Sequence, residues 1–433
     1  MIKNLVNFLN SKKELYGWRI IHTYLDGKEA YFIKNTLDMC RGKDIEKCEV
    51  TIFKKFQQSE NTSVGSYTFF VHPTMSGAEI EEELDNAIYA CQYALNPSFS
   101  LTLPSNYQPY PILSNLKSYQ FDQLLGEIVS CVLNVDEIHE SEINSFEVFL
   151  EKKDIRLITS TGIDYKATTY LGNIEYITNY QGEKEEIELY DFYSFANYNE
   201  QDIKSRIFEQ LRISKDRGNA IKTPNLGLFN VILKDESVRK VLNYFNVQTD
   251  LQSIYQKVSK AKLNQFIQNS DASGDKITLQ KVPFLVNSPK SLPFDLNGVI
   301  LKPITVIDEG RVINYHGDSK IASYLNQPTV GIMPNSKYNC GSTSINELKT
   351  KPYLEVVSFS NLQVDPLIGT IGGEIRLGYY FDGTNVIPVT GGSISGNIMD
   401  IINNFKLSKE SVSFDSYEGP KYLLAKLIVT GND

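Results

Sequence analysis

The sequence lacks the features that mark membrane-spanning and nucleic-acid-binding proteins. No run of about 18 apolar residues occurs, which excludes an ordinary membrane-spanning helix. Acidic residues outnumber basic ones, 52 against 43, and the formal net charge is −9. The lysines form only isolated pairs, such as Lys12 with Lys13 and Lys54 with Lys55. Because a surface of this charge repels a phosphate backbone, we expect neither a nucleic-acid partner nor a membrane.

Cysteine is also scarce. The five cysteines are an odd number without regular spacing, as is typical of a reducing compartment. Cys40 and Cys48 are too far apart in sequence for a zinc knuckle. Residues 1–9 carry apolar side chains at positions 2, 5, 6 and 9, interrupted by polar ones. This spacing predicts an amphipathic helix and not a signal peptide, so we expect a cytoplasmic protein.

The distribution of strand-like and helix-like patterns predicts an α+β protein with three domains. A chain of 433 residues is too long for one core. Residues 1–105 contain aromatic and β-branched runs followed by a helix, which begins at a capping box of Ser76 and Glu79. Residues 106–222 repeat this plan of a sheet with a covering helix. Residues 223–433 form a β-rich domain with many turns.

Three patterns near the start of the third domain matter for function. Residues 230–233 have the composition of a short buried strand. A helix follows over residues 237–245, and apolar residues at 254, 258, 263 and 266 predict a second helix over residues 251–267. From about residue 277 onward, glycines and short β-branched runs predict a closed or sandwiched sheet.

Several short motifs occur in one order between residues 294 and 397. They are a turn with Asp295 and Gly298, a strand-turn-strand over residues 306–312, the pair Pro334 and Asn335, the series Asp365, Gly369, Gly378 and Gly383, and the run from Gly391 through Gly396 to Asn397. In this order they resemble the C-terminal half of the TldD/PmbA family. Residues 64–67 and 160–162 resemble parts of the family's first two domains, so the resemblance covers nearly the whole chain.

The resemblance implies a metallopeptidase-related protein whose metal site is absent. Active family members carry His-Glu-x-x-x-His on the helix after the strand at 231–233, where two imidazoles hold zinc and the carboxylate acts as a base. The matching residues here are Asn243, Tyr244 and Gln248. The family's third ligand is a cysteine near the C-terminus, and no cysteine follows Cys340. We therefore expect no catalytic residue, no metal and no cofactor.

Other constellations offer weak alternatives. His139 and Glu140, followed by Asn144, have the residue types of a metal site but lie in a polar loop. Cys340 and His316 share the third domain, yet their contact cannot be read from sequence. The glycine-rich run from Gly391 lacks the lysine of a P-loop, so a turn with an Asn helix cap explains it better.

Two arginines in the third domain have the chemistry to hold a peptide carboxylate. They are Arg311 and Arg376, although a lone arginine more commonly forms a surface ion pair. With the residues of the family motifs, they are the candidate peptide-binding or structural positions.

Three functions fit this sequence. The first is a PmbA/TldE-like partner subunit that pairs with a TldD-like paralogue and helps it to process extended or unfolded peptides; we expect such a chain to be inactive alone. The second is a non-enzymatic homodimer that binds peptides or a protein client. The third is a peptidase with a relocated site. The family's historical association with DNA gyrase has no recognisable binding surface in these residues.

Overall fold

The architecture is α+β, as predicted. The computed structural model describes residues 2–58, 61–108, 110–136, 140–183 and 185–432. Its α-helices are α1 (Ile2–Ser11), α2 (Gly77–Ala90), α3 (Phe121–Asp136), α4 (Glu200–Gly218), α5 (Glu236–Gln248), α6 (Leu251–Tyr255), α7 (Ser319–Tyr324), α8 (Ile345–Leu348) and α9 (Ile398–Ile401). Short 3-10 turns occupy Cys91–Tyr93 and Asn115–Ser118. Among the helices described, none combines the length and the apolarity needed to cross a bilayer.

One seven-stranded sheet carries the strands of both N-terminal units. Its strands are β1 (Gly17–Ile33), β2 (Thr36–Gln58), β3 (Asn61–Val71), β4 (Leu95–Pro97), β5 (Glu142–Thr159), β6 (Asp164–Gln181) and β7 (Glu186–Phe195), in the spatial order β4-β3-β2-β1-β5-β6-β7. The two units meet where β1 pairs antiparallel with β5, from Arg19 opposite Thr159 to Ile33 opposite Ser145. The domain boundaries after residues 105 and 222 stay predictions.

The seven-stranded sheet uses its two faces differently. Ile20 on β1 packs with Leu5 of α1 and Leu84 of α2, and further along the sheet α3 and α4 cover the same face. Strand side chains alternate between faces, so Arg19 and Ile21 point the other way. On that opposite face Ile21 joins a small core that includes Phe294 of the C-terminal part. The sheet therefore lies between the helices and part of the C-terminal domain.

Two further sheets build the C-terminal part. The first contains β10 (Leu279–Val282), β11 (Ile304–Asp308), β12 (Arg311–Val312), β13 (Asn335–Tyr338), β19 (Ser411–Phe414) and β20 (Tyr417–Pro420). The second contains β8 (Ile221–Lys222), β9 (Gly227–Lys234), β14 (Tyr353–Val364), β15 (Thr370–Phe381), β16 (Val386–Thr390), β17 (Ser393–Asn397), β18 (Lys406–Leu407) and β21 (Tyr422–Thr430). Since β14 pairs with both β9 and β15, the path β14-β9-β21-β17-β15 closes on itself. The predicted closed sheet is thereby confirmed.

One predicted helix is much shorter than expected. The pattern over residues 251–267 predicts a continuous helix, but α6 ends at Tyr255. Lys257 and Asn264 have positive φ angles of 60° and 63°, which break a helix. Val258 and Phe266 are exposed, whereas Leu263 and Ile267 pack against the C-terminal core. They do so from an irregular loop that is bonded to β12, where Asn264 N donates to Val312 O. Apolar spacing alone therefore gave a wrong prediction here.

Replacing Gly298 by Ala should destabilise the chain. Gly298 has a φ of +90°, and a Cβ there would lie 2.5 Å from Ile163 Cδ1. We expect the free energy of unfolding to fall by about 1–3 kcal/mol. Gly126→Ala is the matched control, because Gly126 is exposed in α3 with no atom near its Cβ position, so this change should add roughly 0.5–1 kcal/mol. Urea unfolding of both variants measures the difference, and an equal effect at the two positions would contradict the role of the turn.

Candidate functional site

Helix α5 begins two residues after β9 ends, where the family resemblance places the zinc-binding helix. Its residues Asn243, Tyr244 and Gln248 have different surroundings. Asn243 is exposed, and Tyr244 and Gln248 are buried. Tyr244 Oη lies 3.3 Å from Met399 Sδ, and burial raises the pKa of this phenol. A neutral phenol cannot replace a carboxylate base.

Gln248 is held by hydrogen bonds at both ends of its amide. Its Nε2 donates to the carbonyl oxygens of Pro366 at 3.0 Å and Leu367 at 3.1 Å. Its Oε1 accepts the backbone N–H of Lys260 at 2.7 Å and a bond from Ser259 Oγ at 3.3 Å. An imidazole has only two nitrogens and cannot make these four contacts. The second histidine position is therefore used to fasten two loops to the end of α5.

No alternative metal centre is found in the described residues. Within them, no group of three or more His, Cys, Asp or Glu side chains is arranged to hold a metal ion. His139 lies outside the described residues, and Glu140 forms a salt bridge with Lys215 at 2.8 Å. Asn144 donates from Nδ2 to Glu188 at 3.1 Å. The described members of the His139 loop are thus engaged in ordinary surface contacts.

A buried polar cluster, which sequence reasoning missed, lies against the end of α5. Lys281 on β10 donates from Nζ to Asn246 Oδ1 at 2.9 Å and to Ser336 Oγ at 2.8 Å. His316 donates from Nε2 to the carbonyl oxygen of Asn246 at 3.0 Å, and its Nδ1 lies 3.8 Å from Asp250 Oδ2. The sequence does contain a signal for a buried lysine. Lys281 follows Leu279 by two residues, alternate residues of a strand share a face, and Leu279 is buried.

Burial dominates the ionisation of this cluster. It lowers the pKa of Lys281 to about 7, against the attraction of Asp250. It also lowers the pKa of His316 to about 3, which leaves the imidazole neutral. A lysine beside a serine hydroxyl has the parts of a Ser-Lys pair, but the side chains of Lys281 and Ser336 are only 2% and 9% exposed. A substrate has no open route to them, and the cluster ties β10 and β13 to α5.

The Asp295 and Gly298 turn is a structural element. Asp295 is buried, and its carboxylate accepts backbone N–H bonds from Asn297, Val299 and Ile332 at 2.9–3.0 Å. Burial raises the pKa of Asp295, and these three hydrogen bonds oppose the rise. Gly298 contacts the seven-stranded sheet at Ile163. The motif thus packs the C-terminal part against that sheet.

The remaining polar candidates lie at separate places. Asn335 is fully buried and bonds to Pro283 O, Ser291 Oγ and Ser288 Oγ at 2.7–3.2 Å. Arg311 is exposed and donates to Asn264 O at 3.0 Å, and Arg376 approaches Ser360 Oγ at 3.4 Å. The structure does not bring the two arginines onto one common ligand group in the described part of the chain.

The glycine-rich run is a turn followed by a helix cap, as its sequence predicts. Gly391 and Gly392 have φ angles of +76° and +72°, and a Cβ on Gly396 would lie 2.6 Å from Leu427. Asn397 caps α9 by accepting the N–H of Met399 at 2.9 Å. Cys340 is half-buried, and burial raises the pKa of its thiol, which disfavours the reactive thiolate.

The fold and the C-terminal part resemble those of known proteins. Residues 227–431 match the family model of the PmbA/TldA metallopeptidase C-terminal domain. That match covers α5, the Asp295 turn and the glycine-rich run. The C-terminal part of the chain, residues 227–431, thus belongs to the TldD/PmbA family. No curated protein matches it in sequence.

Three solved structures share the fold of this chain over nearly its whole length. TldE from Thermococcus kodakarensis is 13% identical with a TM-score of 0.79, covering 98% of this chain and 99% of its own. A proposed modulator of DNA gyrase from Thermotoga maritima is 14% identical with a TM-score of 0.79, covering 99% and 100%. A second proposed gyrase modulator, from Bacteroides thetaiotaomicron, is 16% identical with a TM-score of 0.76, covering 99% and 98%. At these identities the likeness shows the fold alone.

Gln248→His should destabilise the protein. The imidazole leaves backbone groups of the Pro366 and Lys260 loops without partners, so we expect a loss of about 1–3 kcal/mol in the free energy of unfolding. Asn243→His is the control, because Asn243 is exposed and the change should stay within about 0.5 kcal/mol. Chemical denaturation measures both, and an unperturbed Gln248→His protein would show that the amide network is dispensable.

Stability should depend on pH through Lys281. In the unfolded chain this amine titrates near its usual value of about 10.4, so between pH 7 and 10 the unfolded state binds more protons than the folded state. The free energy of unfolding therefore rises with pH in this window, by at most about 1.4 kcal/mol per pH unit. Lys281→Met should remove that rise, whereas Lys337→Met, at an exposed position on β13, should keep it. Urea unfolding at pH 7, 8 and 9 compares the slopes, and identical slopes for wild type and Lys281→Met would refute the assignment.

Proposed function

We propose that this chain is a non-catalytic, PmbA/TldE-like partner subunit that pairs with a TldD-type metallopeptidase and helps it to process extended peptides. The observation that carries the proposal is Gln248 on α5. The family resemblance implies a histidine at this position in active members. Here four hydrogen bonds hold the Gln248 side chain between neighbouring loops. A chain of this family without the metal-binding side chains needs a subunit that supplies them.

The surface offers a place for such a subunit along β2. Residues 48–58 of β2 pair with β3, but residues 36–47 pair only with β1. We call this segment, residues 36–47, the open edge of β2. On its outer side, no strand among the described residues pairs with its backbone N–H and C=O groups. Long exposed edges are ready-made templates for another strand, and proteins usually cover them. The open edge is thus suited to pairing with a second polypeptide.

Apolar side chains accompany the open edge. Leu37, Met39 and Ile45 are 53%, 40% and 46% exposed, and Ile33 of β1 beside them is 59% exposed. Grouped apolar side chains on an exposed strand mark an interaction surface more often than isolated ones. Burial of these side chains would favour association in addition to the backbone hydrogen bonds.

A cross-strand ion cluster fixes the geometry of the open edge. The fully buried carboxylate of Glu29 on β1 pairs with Arg41 and Lys43 of β2, and it accepts a 2.9 Å hydrogen bond from Tyr31 Oη. Burial opposes ionisation of Glu29, but these donors outweigh it and lower the pKa of its carboxyl group. Because Glu29 lies directly opposite Arg41, the cluster holds the register of the two strands. The open edge is thereby formed before a partner arrives.

Co-expression with a TldD-type paralogue carrying an intact His-Glu-x-x-x-His motif tests this function. We expect a stable complex in size-exclusion chromatography and a peptidase activity that depends on this chain. Leu37→Asp with Met39→Asp and Ile45→Asp should weaken the complex at least tenfold, because three charges would be buried against the partner. Val386→Asp is the control, since Val386 is 55% exposed on β16, away from the open edge.

Two results would contradict the proposal. Peptide cleavage by the paralogue that is unchanged when this chain is omitted would remove the partner role. A homodimer of this chain that binds peptides and does not bind the paralogue would favour the homodimeric binding module instead.

A further inference from the structure

A polar cavity lies between the seven-stranded sheet and the C-terminal part, apart from α5. Its volume is about 270 Å³. The floor comes from β1, β2, β3 and Thr159 of β5, and the walls come from residues 99–102, Thr161, Asn297 and residues 318–320. At about 30 Å³ per water molecule, the space equals roughly nine waters, enough for one terminal residue of a peptide.

The floor of the cavity is a row of hydroxyl groups around one guanidinium. Arg19 on β1 lies opposite Thr51 of β2 and Thr159 of β5, and Thr51 lies opposite Thr68 of β3. Directly opposite residues share a sheet face, so all four side chains are on the face that meets the C-terminal part. Lys320 adds an ammonium group from the other wall.

Neither of the two cations of the cavity forms a salt bridge within the described residues, although carboxylates lie in the neighbourhood. Arg19 donates to Leu296 O at 3.0 Å, to Asn297 Oδ1 at 2.5 Å and to Thr51 Oγ1 at 3.3 Å, and all three acceptors are neutral. Its Nε has no hydrogen-bond partner among the described residues. Lys320 is half-buried. Sequestered charges are normally paired, so two cations without a salt bridge in the described part of the chain point to an absent anion.

The nearby carboxylates limit the charge of that anion. Burial lowers the pKa of Arg19, and the charges of Glu49, Asp295 and Asp318 oppose this. Asp318 lines the cavity, but it accepts the N–H of Lys320 at 2.6 Å and the amide of Asn297 at 3.3 Å. Three acidic groups in the neighbourhood repel a phosphate dianion more strongly than a single carboxylate. The electrostatics therefore favour a ligand with one negative charge.

An apolar wall adjoins the charged end. Phe53 and Phe99 pack edge to face with their ring centroids 5.9 Å apart, and Leu101 also lines the cavity. A carboxylate held by arginine beside a pocket for an apolar side chain matches the last residue of a peptide. We propose that this cavity binds the C-terminal carboxylate of a short peptide through Arg19 and Lys320. The choice of a peptide rests on the proposed function, whereas the need for an anion does not.

Calorimetric titration of the full-length chain with acetyl-Ala-Phe tests the proposal. The free acid should bind, and its C-terminal amide should bind at least tenfold more weakly. Arg19→Gln and Lys320→Gln should each weaken binding of the acid at least tenfold. Arg156→Gln is the control, because Arg156 lies on β5 with its side chain on the other sheet face, paired with Asp164.

The outcomes separate this site from the partner role. Equal binding of acid and amide, or binding that Lys320→Gln leaves unchanged in a protein with a normal thermal melt, would overturn the proposal. Displacement of the peptide by equimolar inorganic phosphate would make the cavity a general anion site and would also overturn it. None of these results bears on complex formation with the paralogue, which is measured without added peptide.

Discussion

Antiparallel pairing between β1 and β5 is the contact on which the rest of the molecule depends. These strands come from different N-terminal units, separated by more than a hundred residues of chain, and their ladder joins two small sheets into one. The joined sheet gives four helices a common face to cover. Its other face holds Arg19 and Ile21, the surface against which the C-terminal part packs. Without this ladder the cavity at Arg19 would lose part of its floor.

Local signals in the sequence were sufficient for individual elements. The amphipathic N-terminal helix, the Ser76–Glu79 capping box and the Asn397 cap are all present, because each depends on residues within one turn of helix. The predicted helix over 251–267 is wrong beyond Tyr255, because Lys257 and Asn264 adopt conformations that tertiary contacts impose. The apolar spacing was not a record of burial here, because Val258 and Phe266 are exposed and an irregular loop brings Leu263 and Ile267 to the core.

Features built from distant residues could not be predicted. The Lys281 cluster joins residues from β10, β13, the end of α5 and the segment around His316, and apart from Asn246 and Asp250 its members are far apart in sequence. The cavity at Arg19 likewise draws on seven separated stretches of chain. The family resemblance pointed to the helix that α5 forms, but it could not reveal that Gln248 holds two loops by hydrogen bonds. A histidine at this position would remove those bonds.

The open edge of β2 also has a consequence for how the chain must be produced. Twelve residues of strand backbone with apolar neighbours invite pairing with any extended segment that is available, including another copy of the same strand. Copies whose open edge is uncovered would therefore be prone to edge-to-edge aggregation. Under the proposed pairing with a second polypeptide, balanced synthesis of the two chains would limit the time during which the strand remains uncovered.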